Sequence, residues 1–198
     1  IFTSVTFKAR TPRSDVLPKM EPWRTLRHSG LPETPRWPRK MVLTEWNQGI
    51  PAAFQAYGME RAVILVSRLG HFSLKKAGGL LGIGNRNVLA VDVDHNNRID
   101  LKCLNKTIRE INKTEGKTRI IAIIGIAGTT ETGSIDPLRQ LGEICAEHGV
   151  HYHVDAVWGG PTVLSDKYKH LLKGIELADS VTIDGHKQFY MPMSCGMV

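Results

Sequence analysis

The stretch SVTIDGHK, residues 180–187, combines features that decide how the chain around it must fold. Its β-branched residues favour a strand, and its glycine permits the tight turn that ends one. Ligands of parallel sheets bind beyond the carboxyl ends of the strands, where Lys187 would then lie. A lysine that is held there and partly desolvated loses its proton more easily and becomes a nucleophilic amine. Lys187 is therefore a candidate catalytic residue, and a solvated surface lysine is the alternative.

Strands and helices alternate through residues 52–198. Apolar or β-branched runs predict strands at 62–66, 88–91, 119–125, 151–155 and 181–183. Apolar periodicity with capping residues predicts helices at 52–57, 73–81, 100–114, 137–149 and about 166–174. This order indicates βαβ units. We therefore expect an α/β fold whose mostly parallel sheet carries helices on both faces.

The first 51 residues have a different character. They contain seven of the ten prolines, a density that excludes a regular helix or strand, so residues 11–51 are predicted to be mostly irregular. They also hold nine Lys/Arg against four Asp/Glu, which is +5 of the net charge of +7. With its tryptophans, this segment is a weaker candidate for binding an acidic partner. The chain has no RNP-like, zinc-finger or helix-turn-helix pattern, so nucleic-acid binding is disfavoured.

The composition, 41% hydrophobic and 23% charged, is typical of a soluble globular protein. No apolar run is long enough to cross a bilayer. Cys103, Cys145 and Cys195 lack CxxC spacing and favour a reducing cytoplasm over disulfides or a zinc site. The chain begins without a methionine or signal-peptide pattern and ends in an apolar run, so we expect it to be part of a longer protein.

Polar residues follow four of the predicted strands. They lie at residues 67–71, at 128–130, at Asp155 and at 184–187. Because the carboxyl ends of parallel strands meet at one edge of a sheet, we expect these residues to share a site.

Four motifs resemble a known family. They are HVDAVWGG at 153–160, DGHK at 184–187, GTTETGSIDP at 128–137 and SRLGHFSLKKA at 67–77. Together they resemble the group II amino-acid decarboxylases that depend on pyridoxal 5'-phosphate (PLP), in particular the bacterial glutamate/aspartate 1-decarboxylase-like enzymes. The resemblance covers residues 52–198. It implies part of the large, PLP-binding domain of a fold-type-I (aspartate-aminotransferase-like) enzyme.

The resemblance implies a role for each matched residue. Lys187 would form the Schiff base with PLP, and Asp155 would pair with the pyridine nitrogen and keep it protonated. His71 would stack on the ring and assist protonation of the substrate carbon. The alternatives are a turn aspartate and a core histidine. Val157, where the family usually has alanine, would pack beneath the ring.

Three further residues complete the implied site. His186 would lie near the phosphate or the substrate, and Asp184 would place a backbone amide near the phosphate. Thr130 would bond near the ring substituents or the substrate carboxylate, although threonines in glycine-flanked loops are often only turn residues.

The implied activity is decarboxylation of an amino acid, most consistently an acidic one such as glutamate or aspartate, by a cytoplasmic homodimer. One departure supports an alternative. Residues 5–7, VTF, stand where the family has glycines that hold the phosphate. The alternative is a non-catalytic, truncated remnant with weak or no PLP binding.

Overall fold

The structure is a computed structural model, and it describes residues 48–193 and the backbone of residues 196–197. Some predictions concern residues outside this described part. These are the predictions for the basic, proline-rich segment up to residue 47, for the VTF stretch within it and for Cys195.

A sheet of six strands forms the centre of the described part. Its spatial order is β2-β1-β3-β4-β5-β6. The first five strands pair in parallel, and β6 runs antiparallel to β5. The parallel sheet predicted from the alternating pattern is therefore confirmed. The strands are β1 Arg61–Ser67, β2 Val88–Val91, β3 Thr118–Ile126, β4 His151–Asp155, β5 Ser180–Asp184 and β6 Gly196–Met197.

Within the described residues, the α-helices that connect or precede these strands are α1 Ile50–Ala56, α2 Phe72–Leu80, α3 Leu101–Asn112 and α4 Leu138–His148. The N-terminus of α3 lies where the sequence predicts it, because the Asp100 side chain accepts hydrogen bonds from the Lys102 and Cys103 amides. The predicted bounds of these four helices agree with the structure to within about two residues, as is usual for helix ends.

The two faces of the sheet carry different helices. On one face, Leu104 of α3 and Leu141 of α4 join Leu65, Tyr152 and Val154 in the main buried core. On the other face, Leu74 of α2 packs against a smaller cluster that contains Val66, Val88 and Ile124. Helices therefore cover both faces, as predicted. Burial of this apolar surface is the main favourable free energy of the fold.

One predicted helix is wrong. The segment 166–174 forms turns and a single 3₁₀ helix, Lys169–Leu172, between the 3₁₀ helices Gly160–Leu164 and Ile175–Leu177. Leu172 is buried, whereas Tyr168 and Leu171 are each 47% exposed. The segment thus lacks the continuous apolar stripe that holds an α-helix against a core.

The face of β4 and β5 on the α2 side is polar. His151, His153 and Asp155 alternate with the core residues of β4, and Ser180, Thr182 and Asp184 alternate with those of β5. The register pairs His153 with Ser180 and Asp155 with Thr182. Two rows of polar side chains therefore lie beside each other and lead to the carboxyl edge of the sheet.

Candidate active site

A cavity lies at the carboxyl edge of the sheet, between β3, β4, β5 and the start of α2. Five of the seven residues predicted for the site line it: His71, Thr130, Asp155, Val157 and Lys187. The expectation that polar residues after separate strands would meet at one edge is confirmed. Asp184 and His186 lie beside the cavity and contact Lys187 or each other.

Asp155 ends β4 with its carboxyl group in the cavity wall. Its Oδ1 accepts a hydrogen bond from the Val157 amide at 3.2 Å. Burial raises the pKa of Asp155, and the nearby Lys187 and His71 only partly oppose this effect. The partly buried carboxylate therefore favours a further cationic N–H group as a partner. A protonated pyridine nitrogen is such a group, so this side of the cavity fits PLP.

Lys187 lies at the mouth of the cavity, three residues after β5 ends. Its Nζ lies 3.5 Å from Oδ2 of Asp184 and 5.8 Å from the centre of the Trp158 ring. A carboxylate and an aromatic face both attract an ammonium group. The side chain of Lys187 is 24% exposed, so a small molecule in the cavity could reach its amine.

Asp184 is 4% exposed. Within the described residues its Oδ2 has no hydrogen-bond partner, and it lies 3.5 Å from both Lys187 Nζ and His186 Nε2. The sequence predicts a backbone role for this residue. The structure adds a side-chain role, because the carboxylate is a close counter-charge to Lys187.

His71 is fixed at the opposite wall by the start of α2. Its Nδ1 accepts from the Ser73 amide at 3.3 Å and lies 2.7 Å from Ser73 Oγ. The ring packs against Phe72, with centroids 4.3 Å apart. The imidazole therefore has one defined orientation beside the cavity. Its stacking on a cofactor ring stays a prediction.

Two glycines bring the loop after β3 against the turn after β4. The Gly159 amide donates to the Ala127 carbonyl at 2.8 Å. Gly128 has φ +99°, and a Cβ there would lie 3.0 Å from the Gly159 nitrogen. Side chains at either position would separate the two segments. This glycine contact places Thr130 and Trp158 around the same cavity.

Sequence reasoning missed His153 and Thr182, which also line the cavity. The signal was present in the alternation of polar and apolar residues in HYHVD, 151–155, and SVTID, 180–184. Trp158 belongs to the HVDAVWGG motif, and the sequence assigns it no role. In the structure its ring faces the Lys187 amine.

Comparisons with known proteins identify relatives of this chain. Residues 38–198 match the family model described as the pyridoxal-dependent decarboxylase conserved domain. The chain is 53% identical over 152 residues to aspartate 1-decarboxylase of Aliivibrio fischeri, a match that covers 76% of this chain and 27% of that protein. It is 38% identical over 148 residues to L-2,4-diaminobutyrate decarboxylase of Acinetobacter baumannii, covering 75% and 28% respectively.

The fold is similar to that of a solved relative. The crystal structure of mouse CSAD in apo form matches with a TM-score of 0.71 and 30% identity, over 79% of this chain and 31% of that chain. This chain thus spans 27–28% of the length of the two curated relatives above. Because the family model matches well over half of its residues, the chain belongs to the pyridoxal-dependent decarboxylase family.

Proposed function

We propose that this chain carries the PLP-binding part of a decarboxylase for an acidic amino acid, with Lys187 as the residue that bonds the cofactor. The observation that carries the proposal is the shared cavity of Lys187, Asp155, His71 and Thr130. The relative at 53% identity is named aspartate 1-decarboxylase, which favours aspartate, with glutamate as the next choice. The cytoplasmic location and the homodimer stay predictions. In the part of the chain that the structure describes, no helix is both long and apolar enough to cross a membrane.

Each side chain would hold one part of the bound cofactor and substrate. Asp155 would hold a proton on the pyridine nitrogen, and the Lys187 amine would bond the aldehyde carbon. When bound, PLP supplies the electron sink that accepts the electron pair left by departing CO₂. Val157, 9% exposed, would pack beneath the ring, with His71 on the other side. Together they would fix the plane against which the scissile bond is aligned.

The remaining predicted residues would act at the edges of the site. Thr130 would bond a ring substituent or the substrate carboxylate from the loop after β3. His186 would lie near the phosphate or the substrate, and the backbone amide of Asp184 near the phosphate. The Asp184 carboxylate would keep the Lys187 side chain turned toward the cavity, as its 3.5 Å contact in the structure suggests.

The test is an absorbance spectrum of the purified protein mixed with PLP. We expect the band of lysine-bound PLP, and we expect Lys187→Ala to lose it. Lys173→Ala, which removes an exposed lysine in a turn, is the matched control and should keep the band. Release of CO₂ from aspartate and from glutamate would then identify the substrate. A chain without the band would support the alternative of a non-catalytic remnant.

A further inference from the structure

Four side chains form a continuous row of hydrogen bonds on the polar face of β4 and β5. His151 Nε2 lies 2.9 Å from Ser180 Oγ, and Ser180 Oγ lies 2.8 Å from His153 Nδ1. His153 Nε2 lies 3.2 Å from Thr182 Oγ1. We call this row, His151-Ser180-His153-Thr182, the β4–β5 ladder. Imidazoles and hydroxyls alternate in it, and each group can both donate and accept a proton.

The ladder connects two different environments. His151, at its outer end, has 18% of its side chain exposed, and its Nδ1 lies 3.9 Å from Oδ2 of Asp179. The three inner members are buried, with 5% exposure for Ser180, 8% for His153 and 7% for Thr182. His153 and Thr182 line the cavity. The ladder therefore leads from a group that solvent reaches to the wall of the candidate active site.

We propose that the β4–β5 ladder is a proton relay between solvent at His151 and the cavity at Thr182. The proposal rests on the proposed function, because decarboxylation of an amino acid to an amine takes up one proton for each CO₂ released. The reaction therefore needs a source of this proton at the cavity. The ladder supplies hydrogen bonds along a route through the buried polar face.

The number of protons is conserved at each side chain of the ladder during the transfer. A protonated His151 gives its Nε2 proton to Ser180, and Ser180 passes its own hydroxyl proton to Nδ1 of His153. His153 releases its Nε2 proton to Thr182, whose hydroxyl proton moves into the cavity. One proton has then crossed, each inner member still carries one proton, and His153 has changed tautomer. Protonation of His151 from solvent, rotation of the two hydroxyls and return of His153 to its Nε2-protonated tautomer restore the starting state.

The charges around the ladder favour this direction. Oδ2 of Asp179 lies 3.9 Å from Nδ1 of His151 and places a carboxylate beside the outer end of the ladder. Burial, helped by the charge of His151, lowers the pKa of His153 to about 4, so His153 passes protons while remaining neutral. The charged or titratable groups around the ladder's inner part are His151 and Asp155 on β4, Asp184 on β5, and His71 and Lys187 across the cavity.

The decisive experiment follows the ring nitrogens of His151 and His153 by ¹⁵N NMR in the cofactor-free protein. Over pH 5–8, the range in which histidines usually titrate, we expect His153 to change tautomer at the pH at which His151 takes up its proton. Ser180→Ala should leave the titration of His151 in place and abolish the coupled change in His153. A single His153 tautomer throughout the His151 titration of the unsubstituted protein would overturn the relay.

Two further variants keep the test decisive. If Ser180→Ala does not fold, His151→Gln at the partly exposed end should hold His153 in one tautomer at every pH. Thr182→Val, which keeps the shape of the side chain, should preserve the coupling of the two histidines and remove only the last step. Retention of the tautomer change in His151→Gln would contradict the proposal.

Kinetics of the PLP-loaded enzyme then test delivery to the cavity. Ser180→Ala and Thr182→Val should each lower kcat about tenfold or more and raise the solvent deuterium isotope effect, with KM little changed. Unchanged kcat in both variants would overturn the relay even if the histidines are coupled. A protein that never binds PLP would refute the proposed function instead, and the NMR result does not depend on PLP.

Discussion

Asp155 is the residue at which stability and function are expected to conflict. Without a bound cation its carboxylate is held in a partly buried site, and desolvation there raises its pKa. We expect Asp155→Asn to raise the free energy of unfolding of the cofactor-free protein at pH 7 by about 0.5–2 kcal/mol, because it removes a poorly compensated charge. The same change should weaken PLP binding. Urea unfolding and a PLP titration measure the two effects.

Asp166→Asn is the matched control for this prediction. The Asp166 side chain is 97% exposed and pairs with Lys169, an exposed lysine three residues along the chain. Exposed pairs contribute little, so both its stability and its PLP affinity should stay close to those of the unsubstituted protein. A loss of stability in Asp155→Asn would mean that the carboxylate already has sufficient partners without the cofactor.

The position of a site residue could be predicted from the sequence where it depends only on the end of a single strand. Asp155 ends one strand and Lys187 closely follows another, so the sequence alone indicates that both reach the carboxyl edge. His153 could not be recognised in this way. Its role depends on the register that sets it beside Ser180, and that pairing joins residues 27 positions apart.

The contact between the two loops at Gly159 is an element-scale feature with a direct test. A Cβ at Gly159 would collide with the Ala127 carbonyl oxygen, which belongs to the backbone and cannot rotate away. We expect Gly159→Ala to lower the free energy of unfolding by about 1–3 kcal/mol or more and to weaken PLP binding, because the loop after β3 must shift. Thermal unfolding and a PLP titration measure both effects.

Gly79→Ala controls for the substitution itself. Gly79 lies in α2 and is exposed, and a Cβ at this position would have no neighbouring atom within 4 Å. Alanine is favoured over glycine inside a helix, so this variant should gain roughly 0.5–1 kcal/mol. Equal stability of the two alanine variants would show that the loops can separate at no cost.

Strands and helices could be predicted where apolar residues mark a buried surface along the whole element. The run at 62–66 and the capped helix after Asp100 needed only local sequence. The segment 166–174 could not be predicted from local sequence. Its leucines and tyrosine suggest a helix, but only Leu172 reaches the core, and Tyr168 and Leu171 stay largely exposed. What decides its conformation is the surface available in the rest of the fold, which no local pattern contains.

At the scale of the whole molecule, a buried histidine and a buried aspartate make opposite contributions to the change of stability with pH. Burial lowers the pKa of His153 from 6.5 to about 4 and raises that of Asp136 from 3.8 to about 6. The stability that His153 contributes is present above pH 6.5 and is lost as the pH falls toward 4. The contribution of Asp136 has the opposite sign, since it is lost as the pH rises through about 6.

The two contributions are similar in size. At 1.36 kcal/mol per pKa unit, each amounts to about 3 kcal/mol between pH 6.5 and 4. Asp136 also accepts hydrogen bonds from the Ile99 and Ile126 amides at 2.7 and 2.8 Å, so any substitution there lowers stability at every pH. The quantity to compare is therefore the slope of stability against pH, and each variant serves as its own reference.

We expect the unsubstituted protein to show little net slope from this pair of groups between pH 6.5 and 4. His153→Gln leaves Asp136 unopposed, so its free energy of unfolding should rise as the pH falls through about 6. Asp136→Asn leaves His153 unopposed, so its stability should fall over the same interval. Urea unfolding at pH 7 and pH 4.5 measures both slopes. Parallel slopes in the two variants would mean that His153 and Asp136 do not control the acid response.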